Sequence, residues 1–249
     1  MKSTYSTSEI AKIIEIHPNT VRLYEEIEFI SKPKRNTNGY RIFTDLHIDQ
    51  FRLARLALQV EVLQSGLRKQ AINIIKTSGR CDFDKALELT STYLENIATE
   101  RHNAEEAISI AEHIILGDST YDKDCCLTRK ETADFLHITI DTLRNWELNG
   151  LFTAKRKKNG YRVYTSSDIS TLKIIKSLRC ANYSLSSILR MLSVISDDPR
   201  ANIRTAIDTS SAEEDIITAC DQLLSSLEHA TKNADEIVTL LEKMKTKYK

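Results

Sequence analysis

Arg22 and Arg144 each stand two residues before an aromatic, Tyr24 and Trp146. Each is followed by a basic run, Lys32, Lys34 and Arg35 in one case and Lys155, Arg156, Lys157 and Lys158 in the other. Cations carried on a helix and a neighbouring hairpin suit the phosphates and base edges of a duplex. Such side chains need elements to hold them, and residues 139–162, TIDTLRNWELNGLFTAKRKKNGYR, supply these. Thr139 is placed to cap a short helix whose apolar face is Leu143, Trp146 and Leu148. Asn149-Gly150 ends that helix, because both residues tolerate a left-handed backbone. Asn159-Gly160 then signals a hairpin, with Tyr161, Val163 and Tyr164 on the strand beyond it.

The chain repeats this arrangement. Residues 17–41 read HPNTVRLYEEIEFISKPKRNTNGYR. Thr20-Val21-Arg22-Leu23-Tyr24-Glu25 answers Thr142-Leu143-Arg144-Asn145-Trp146-Glu147, and Asn38-Gly39-Tyr40-Arg41 answers Asn159-Gly160-Tyr161-Arg162. The offset slips by a single residue within the wing, where a length change is cheap. This is an internal duplication, and it sets two similar halves.

Ser6-Thr7-Ser8-Glu9 and Thr128-Arg129-Lys130-Glu131 are capping boxes at equivalent places, opening helices over 8–14 and 129–136. A tight turn and a second helix follow each, the first of these begun by Pro18. Helix, turn, helix is a DNA-binding arrangement with the second helix as reader. Past each wing, Asp45 and Ser166 (or Ser167) are expected caps. Ile48, Phe51, Leu53 and Leu56, and Ile169, Leu172, Ile175 and Leu178, are expected core faces. Further helices are expected over 67–75 and 185–192. A long helix closes each half. Its seam is Leu87, Leu94, Ile97, Arg101, Ala104, Ile108, Ala111 and Ile115 in one half. In the other it is Ile216, Cys220, Leu223, Leu227, Ala230, Ala234, Ile237, Leu241 and Met244. Each helix would run roughly 50 Å at 1.5 Å per residue.

The fold class is therefore mainly α: two winged helix-turn-helix domains, each followed by a long coiled-coil helix. The expected divisions are a first head over 1–78, its long helix over 79–117, a linker over 118–126, a second head over 127–193, a short helical connector over 194–211 and a second long helix over 212–249.

Net charge is zero, which by itself speaks against nucleic acid. Distribution matters more. Positive charge gathers in both wings and around Lys173, Lys176, Arg179 and Arg190, negative charge in 82–112 and 213–221. No run is apolar enough to span a membrane and residues 1–10 do not read as a signal peptide, so the default location is cytoplasmic. The five cysteines (Cys81, Cys125, Cys126, Cys180, Cys220) lack framework spacing and read as free thiols. No nucleophile–base pair, phosphate-cradling glycine loop or metal motif is present, so neither enzyme activity nor a cofactor is expected.

Taken together, these motifs, with Phe43 and Tyr164 after the two wings, Asn149-Gly150-Leu151 and Tyr183-Ser184-Leu185, resemble the MerR family of bacterial transcription regulators across the whole chain. The resemblance implies a winged helix-turn-helix head and a long helix that pairs antiparallel with that of a partner head. It implies binding to double-stranded promoter DNA between elements set too far apart. The protein would bend and untwist that DNA so that RNA polymerase, an indirect partner, engages both. Relatives that sense metals place thiolates near the start of the long helix, where Cys81 falls. Cys81 has no close thiol neighbour, and Cys125-Cys126 are poorly spaced to chelate one ion together, so no metal site is expected. Departures from the pattern are the tandem layout, Glu15 and His137 where glycine is common, and Glu28 where the second copy has Gly150. That last difference suggests the two reading helices end differently.

Expected DNA contacts are His17, Asn19, Thr20, Arg22 and Tyr24 on the first reader, and Thr139, Asp141, Thr142, Arg144 and Trp146 on the second. The first wing adds Lys32, Lys34, Arg35, Tyr40 and Arg41, and the second Lys155, Arg156, Lys157, Lys158, Tyr161 and Arg162. For the threonines, capping is an equal alternative, and for Trp146 a place in the core. Asp141 can accept from a cytosine amine. A single-chain pseudodimer is expected, with a four-headed homodimer as the rival. The alternative function is capture of a drug-like small-molecule effector, walled by Phe83, Tyr93 and Tyr121, with little DNA binding. A third is an architectural DNA bender.

Overall fold

The computed structural model describes residues 4–59, 66–116, 126–156, 160–198, 200–209 and 222–248. The first half contains α1 (Thr7–Ile14), α2 (Pro18–Glu26), β1 (Lys34–Arg35), β2 (Arg41–Ile42), α3 (Asp45–Ala57), α4 (Leu67–Gly79) and α5 (Phe83–Ile115). The second contains β3 (Cys126–Leu127), α6 (Arg129–Phe135), α7 (Ile140–Leu148), β4 (Lys155–Arg156), β5 (Arg162–Thr165), α8 (Ser166–Cys180), α9 (Leu185–Asp197), α10 (Ile203–Asp208) and α11 (Leu223–Tyr248). The chain divides into two compact units, Met1–Thr99 with Ser226–Lys249, and Glu100–Ser225.

In the first unit Ser6 opens α1 through the expected capping box: its backbone N–H donates to Glu9 at 2.9 Å. Glu15 then turns the chain at φ 58°. His17 caps α2, its Nδ1 accepting from the Asn19 N–H at 3.1 Å. Val21 and Tyr24 face inward, Tyr24 stacking on Phe51 at 5.5 Å and meeting Phe29 edge-on at 5.3 Å. Strands β1 and β2 pair antiparallel with Lys34 opposite Ile42. A bridge between Tyr5 and Phe43 extends this wing toward the head's first residues.

Two expectations are corrected here. The cap of α3 is Thr44, not Asp45: the Thr44 N–H donates to His47 Nδ1 at 3.0 Å. Asp45 is the first helical residue, where a carboxylate suits the positive helix end, and it accepts from the Tyr5 hydroxyl at 3.0 Å. The reading helices do not end differently: Glu28 takes φ 63° and Gly150 φ 76° at equivalent positions. A non-glycine residue there carries strain of order 1 kcal/mol. The Arg80 guanidinium bonds the Glu28 carboxylate at 2.9 Å and draws its pKa below the ordinary value.

The buried line of α5 in this unit is Phe83, Ala86, Thr90, Tyr93 and Ile97. Leu87 and Leu94, expected on the seam, flank it half-buried. The aromatics take the inward stripe, and the Thr90 hydroxyl is satisfied within the helix by Ala86 O at 2.7 Å, so a polar residue occupies a core position. Leu227, Ala230, Ala234, Ile237, Leu241 and Met244 of α11 are buried as their spacing requires. Ile216 and Cys220 lie outside the described residues. The end of α11 is tied to the start of α5 and to the first head. Lys245 pairs with Asp84. The Tyr248 hydroxyl donates to the Asp49 carboxylate at 2.7 Å and Lys247 Nζ lies 3.3 Å from it.

In the second unit β5 is central, pairing with β3 on one side and β4 on the other. Cys126, expected in the linker, is instead on an edge strand opposite Thr165. The cap of α8 is Thr165 rather than Ser166 or Ser167, because its N–H reaches the Asp168 carboxylate at 2.7 Å in a capping box. Ile169, Leu172, Ile175 and Leu178 are buried. The later part of α5 buries Ala104, Ala107, Ile108 and Ala111, while Arg101, expected on the seam, is exposed. This part of α5 meets the second head and α10: Asn182 donates to Glu100 at 3.0 Å, and Arg204 lies 3.5 Å from Glu105. Asp208 accepts from the Leu224 N–H at 2.9 Å and so caps α11.

Candidate nucleic-acid interface

The readers α2 and α7 are built alike. Each is nine residues long and buries an aliphatic residue and an aromatic three positions later, Val21 and Tyr24 or Leu143 and Trp146. Tyr24 and Trp146 are buried at 6% and 4% exposure, which for Trp146 is the core place weighed beside DNA contact and leaves both with little surface to offer a ligand. The opposite face of α2 exposes Asn19 and Arg22, with Arg22 Nη1 donating to Asn19 Oδ1 at 3.3 Å. That of α7 exposes Asp141 and Arg144. His17 is exposed and serves as the cap of α2; Thr20 is half-buried. Thr139 is the cap of α7, accepting from the Thr142 N–H at 3.0 Å, and the two hydroxyls lie 2.8 Å apart.

One carboxylate joins wing to reader in each head. Glu25 accepts from Arg41, and Glu147 accepts from Arg162 Nε at 2.7 Å and Arg129 Nη2 at 2.8 Å. Arg41 and Arg162 are half-buried in these pairs. In these pairs they hold the wing against the reader. The glutamates occupy matched places in the two repeats, and that match was the signal for them; Arg129 has none, because the first repeat lacks it.

Lys32, Lys34, Arg35, Lys155 and Arg156 are exposed. Arg35 Nη1 donates to Gly39 O at 3.1 Å, holding its guanidinium over the hairpin. Tyr40 and Tyr161 are 72% and 73% exposed at matching places by the wing turns. Lys157 and Lys158 lie outside the described residues, as does Tyr121. A crevice of about 1010 Å³ opens between α2, the wing and the α4–α5 turn, its basic lining (Arg22, Lys32, Arg35, Arg41 and Arg80) interleaved with Glu25, Glu26 and Glu28.

The expected ligand walls are corrected. Phe83 and Tyr93 are buried at 2% and 0% exposure and fill the core of the first unit. Burial pushes the Tyr93 phenol well above its ordinary pKa, and its hydroxyl has no hydrogen-bond partner among the described residues. Cys81, at φ 62°, has its thiol pKa raised by burial. Among the described residues no group of three or more His, Cys, Asp or Glu is placed to hold a metal ion.

The profile of the "MerR HTH family regulatory protein" matches residues 5–69 and 127–194, together more than half of the chain. The chain belongs to the MerR family. MerR-type relatives include the HTH-type transcriptional regulator CueR of Escherichia coli O6:H1, 29% identical over 110 residues, or 43% of this chain and 76% of CueR. ZntR of Escherichia coli K12 is 37% identical over 65 residues, or 26% of this chain and 46% of ZntR. The uncharacterized regulator YyaN of Bacillus subtilis is 29% identical over 116 residues, or 42% of this chain and 83% of YyaN. No solved structure matches. The two matched segments coincide with the two reader-and-wing heads, so the chain is a MerR-family transcriptional regulator with tandem heads. No described helix is long and apolar enough to cross a membrane.

Proposed function

We propose that this MerR-type regulator binds double-stranded promoter DNA as a single-chain pseudodimer and bends and untwists it to let RNA polymerase engage both promoter elements. The observation that carries the reading is the doubled site: a reader exposing Arg22 or Arg144, stapled through Glu25 or Glu147 to a wing exposing lysine and arginine. The pseudodimer part is supported by how each head is finished. The first is joined by α11 through Asp49, the second by the later part of α5 through Glu100. In a family dimer the partner would supply those helices; here the other repeat does.

Selection of duplexes from a random pool, followed by transcription of the enriched sites with purified polymerase, tests this. Enrichment with altered transcription is expected. Enrichment without a transcriptional effect leaves an architectural bender; no enrichment removes the proposal.

A second reading, capture of a drug-like effector, is favoured by one feature. A groove of about 610 Å³ in the first unit lies among Ile13, Ile14, Arg55, Leu56, Leu240 and Lys243. Its volume is in the usual range for a small-molecule site. A thermal-shift screen of amphipathic compounds checks it; hits lost in Leu56→Glu or Leu240→Glu would locate them there.

A further inference from the structure

We infer that the two heads read chemically opposite bases at one equivalent position, so that the operator is non-palindromic and the protein lies on it in a fixed direction. This rests on the DNA-binding reading above and specifies its target.

Duplicated elements share what holds them together, and what differs on their outward face is free to set specificity. The readers share the buried pair and the exposed arginine. They differ where α2 carries Asn19 and α7 carries Asp141, three residues before Arg22 and Arg144 respectively. Both positions are exposed in the first turn of the reader, the part that meets base edges in this type of head.

The two side chains have opposite hydrogen-bonding character. In the first head Asn19 Oδ1 is engaged by Arg22 Nη1 at 3.3 Å. That bond occupies the Asn19 amide oxygen and leaves its Nδ2 donors and the remaining guanidinium donors without a partner of their own in the pair. With that oxygen engaged the pair offers chiefly donors, which suits a base edge made of acceptors, the O6 and N7 of guanine. In the second head Asp141 is an acceptor with no donor of its own. No side-chain hydrogen bond or ion pair engages Asp141 or Arg144 among the described residues. An ionised carboxylate at this place repels an acceptor edge and suits the N4 amine of cytosine. Guanine is thus preferred by the first head at the position where the second prefers cytosine.

The neighbouring position reinforces the difference. Leu23 is 47% exposed and offers apolar contact, as to a thymine methyl. Its counterpart Asn145 is polar, its Oδ1 accepting from Asn149 Nδ2 at 2.7 Å. A dimer of identical chains with one head each would present the same chemistry twice. This chain presents two chemistries in one molecule.

The test is selection from a random duplex pool by the full chain, its Asn19→Asp variant and its Asp141→Asn variant, all checked for unchanged thermal unfolding. The parent is expected to enrich two unlike half-sites. Asn19→Asp should exchange guanine for an amine-bearing base in one half-site only, and Asp141→Asn should relax cytosine in the other only. In competition binding each exchange should shift preference roughly tenfold to a hundredfold. A palindrome for the parent, both variants altering the same half-site, or neither altering base preference overturns the inference while the DNA-binding reading stands. No enrichment by any of the three overturns that reading itself.

Discussion

His47 occupies a core position with only part of its chemistry satisfied. Its Nδ1 accepts from the Thr44 N–H, while Nε2 is buried without a partner among the described residues. Burial lowers the imidazole pKa below its ordinary value. The folded state therefore prefers the neutral ring, and below about pH 6.5 the unfolded chain binds the extra proton more readily. Stability from this group is complete above that value and lost as pH falls through the folded pKa. Thermal unfolding of the parent should move to lower temperature between about pH 7 and pH 5, and His47→Gln should flatten this part of the profile. Glu28 gives a second prediction. At φ 63° it carries backbone strain, while its ion pair with Arg80 is exposed and weak. Glu28→Gly should raise stability by about 0.5–1 kcal/mol in chemical denaturation. Gly79 does not allow the reverse change, since a Cβ there would lie 2.7 Å from Glu28 O.

At the scale of elements, the reader and the wing act together only because one carboxylate holds both. Glu147→Gln removes the charge facing Arg162 and Arg129 but keeps the side chain's length. DNA affinity should fall about tenfold with little change in the salt dependence, because the exposed lysines are untouched. A steep loss of salt dependence instead would mean that Arg162 is itself a phosphate ligand. The long helix offers a different test. Tyr93→Phe deletes a buried, unpartnered hydroxyl and should stabilise the first unit by about 1 kcal/mol in a denaturant titration. These elements were legible to different degrees. The readers, wings and capping boxes could be read because each follows a local rule, and the repeat gave the motif residues of the first head counterparts to check them against. The seam of α5 was not, since Thr90 breaks the apolar spacing and its satisfaction by Ala86 is invisible without a backbone. The wing–reader staples were missed for a related reason: Glu25 and Arg41 are distant in sequence, and a surface charge and a partly buried one look the same in a string of letters.

At the scale of the molecule, Asp49 decides how the first unit is closed. Its side chain is 5% exposed and faces Tyr248, Lys247 and Arg52. Burial raises the Tyr248 phenol to about 12, with Lys247 opposing. Asp49→Ala leaves these donors without their acceptor and should cost roughly 2 kcal/mol of stability. Hydrogen exchange should then rise at the end of α11 before it rises in α3. If the pseudodimer reading holds, sedimentation at high dilution gives the mass of one chain; a persistent mass of two chains would favour the homodimer.

The make-up of the units has a consequence for biosynthesis. The second unit is one continuous stretch, Glu100–Ser225, whereas the first joins Met1–Thr99 to Ser226–Lys249. A ribosome delivers the first head early but cannot supply the helix that closes it until the whole second unit has been made. At about 5–20 residues per second that interval is on the order of ten seconds. The head translated first is thus the last to be finished, and the nascent chain completes its middle before its beginning.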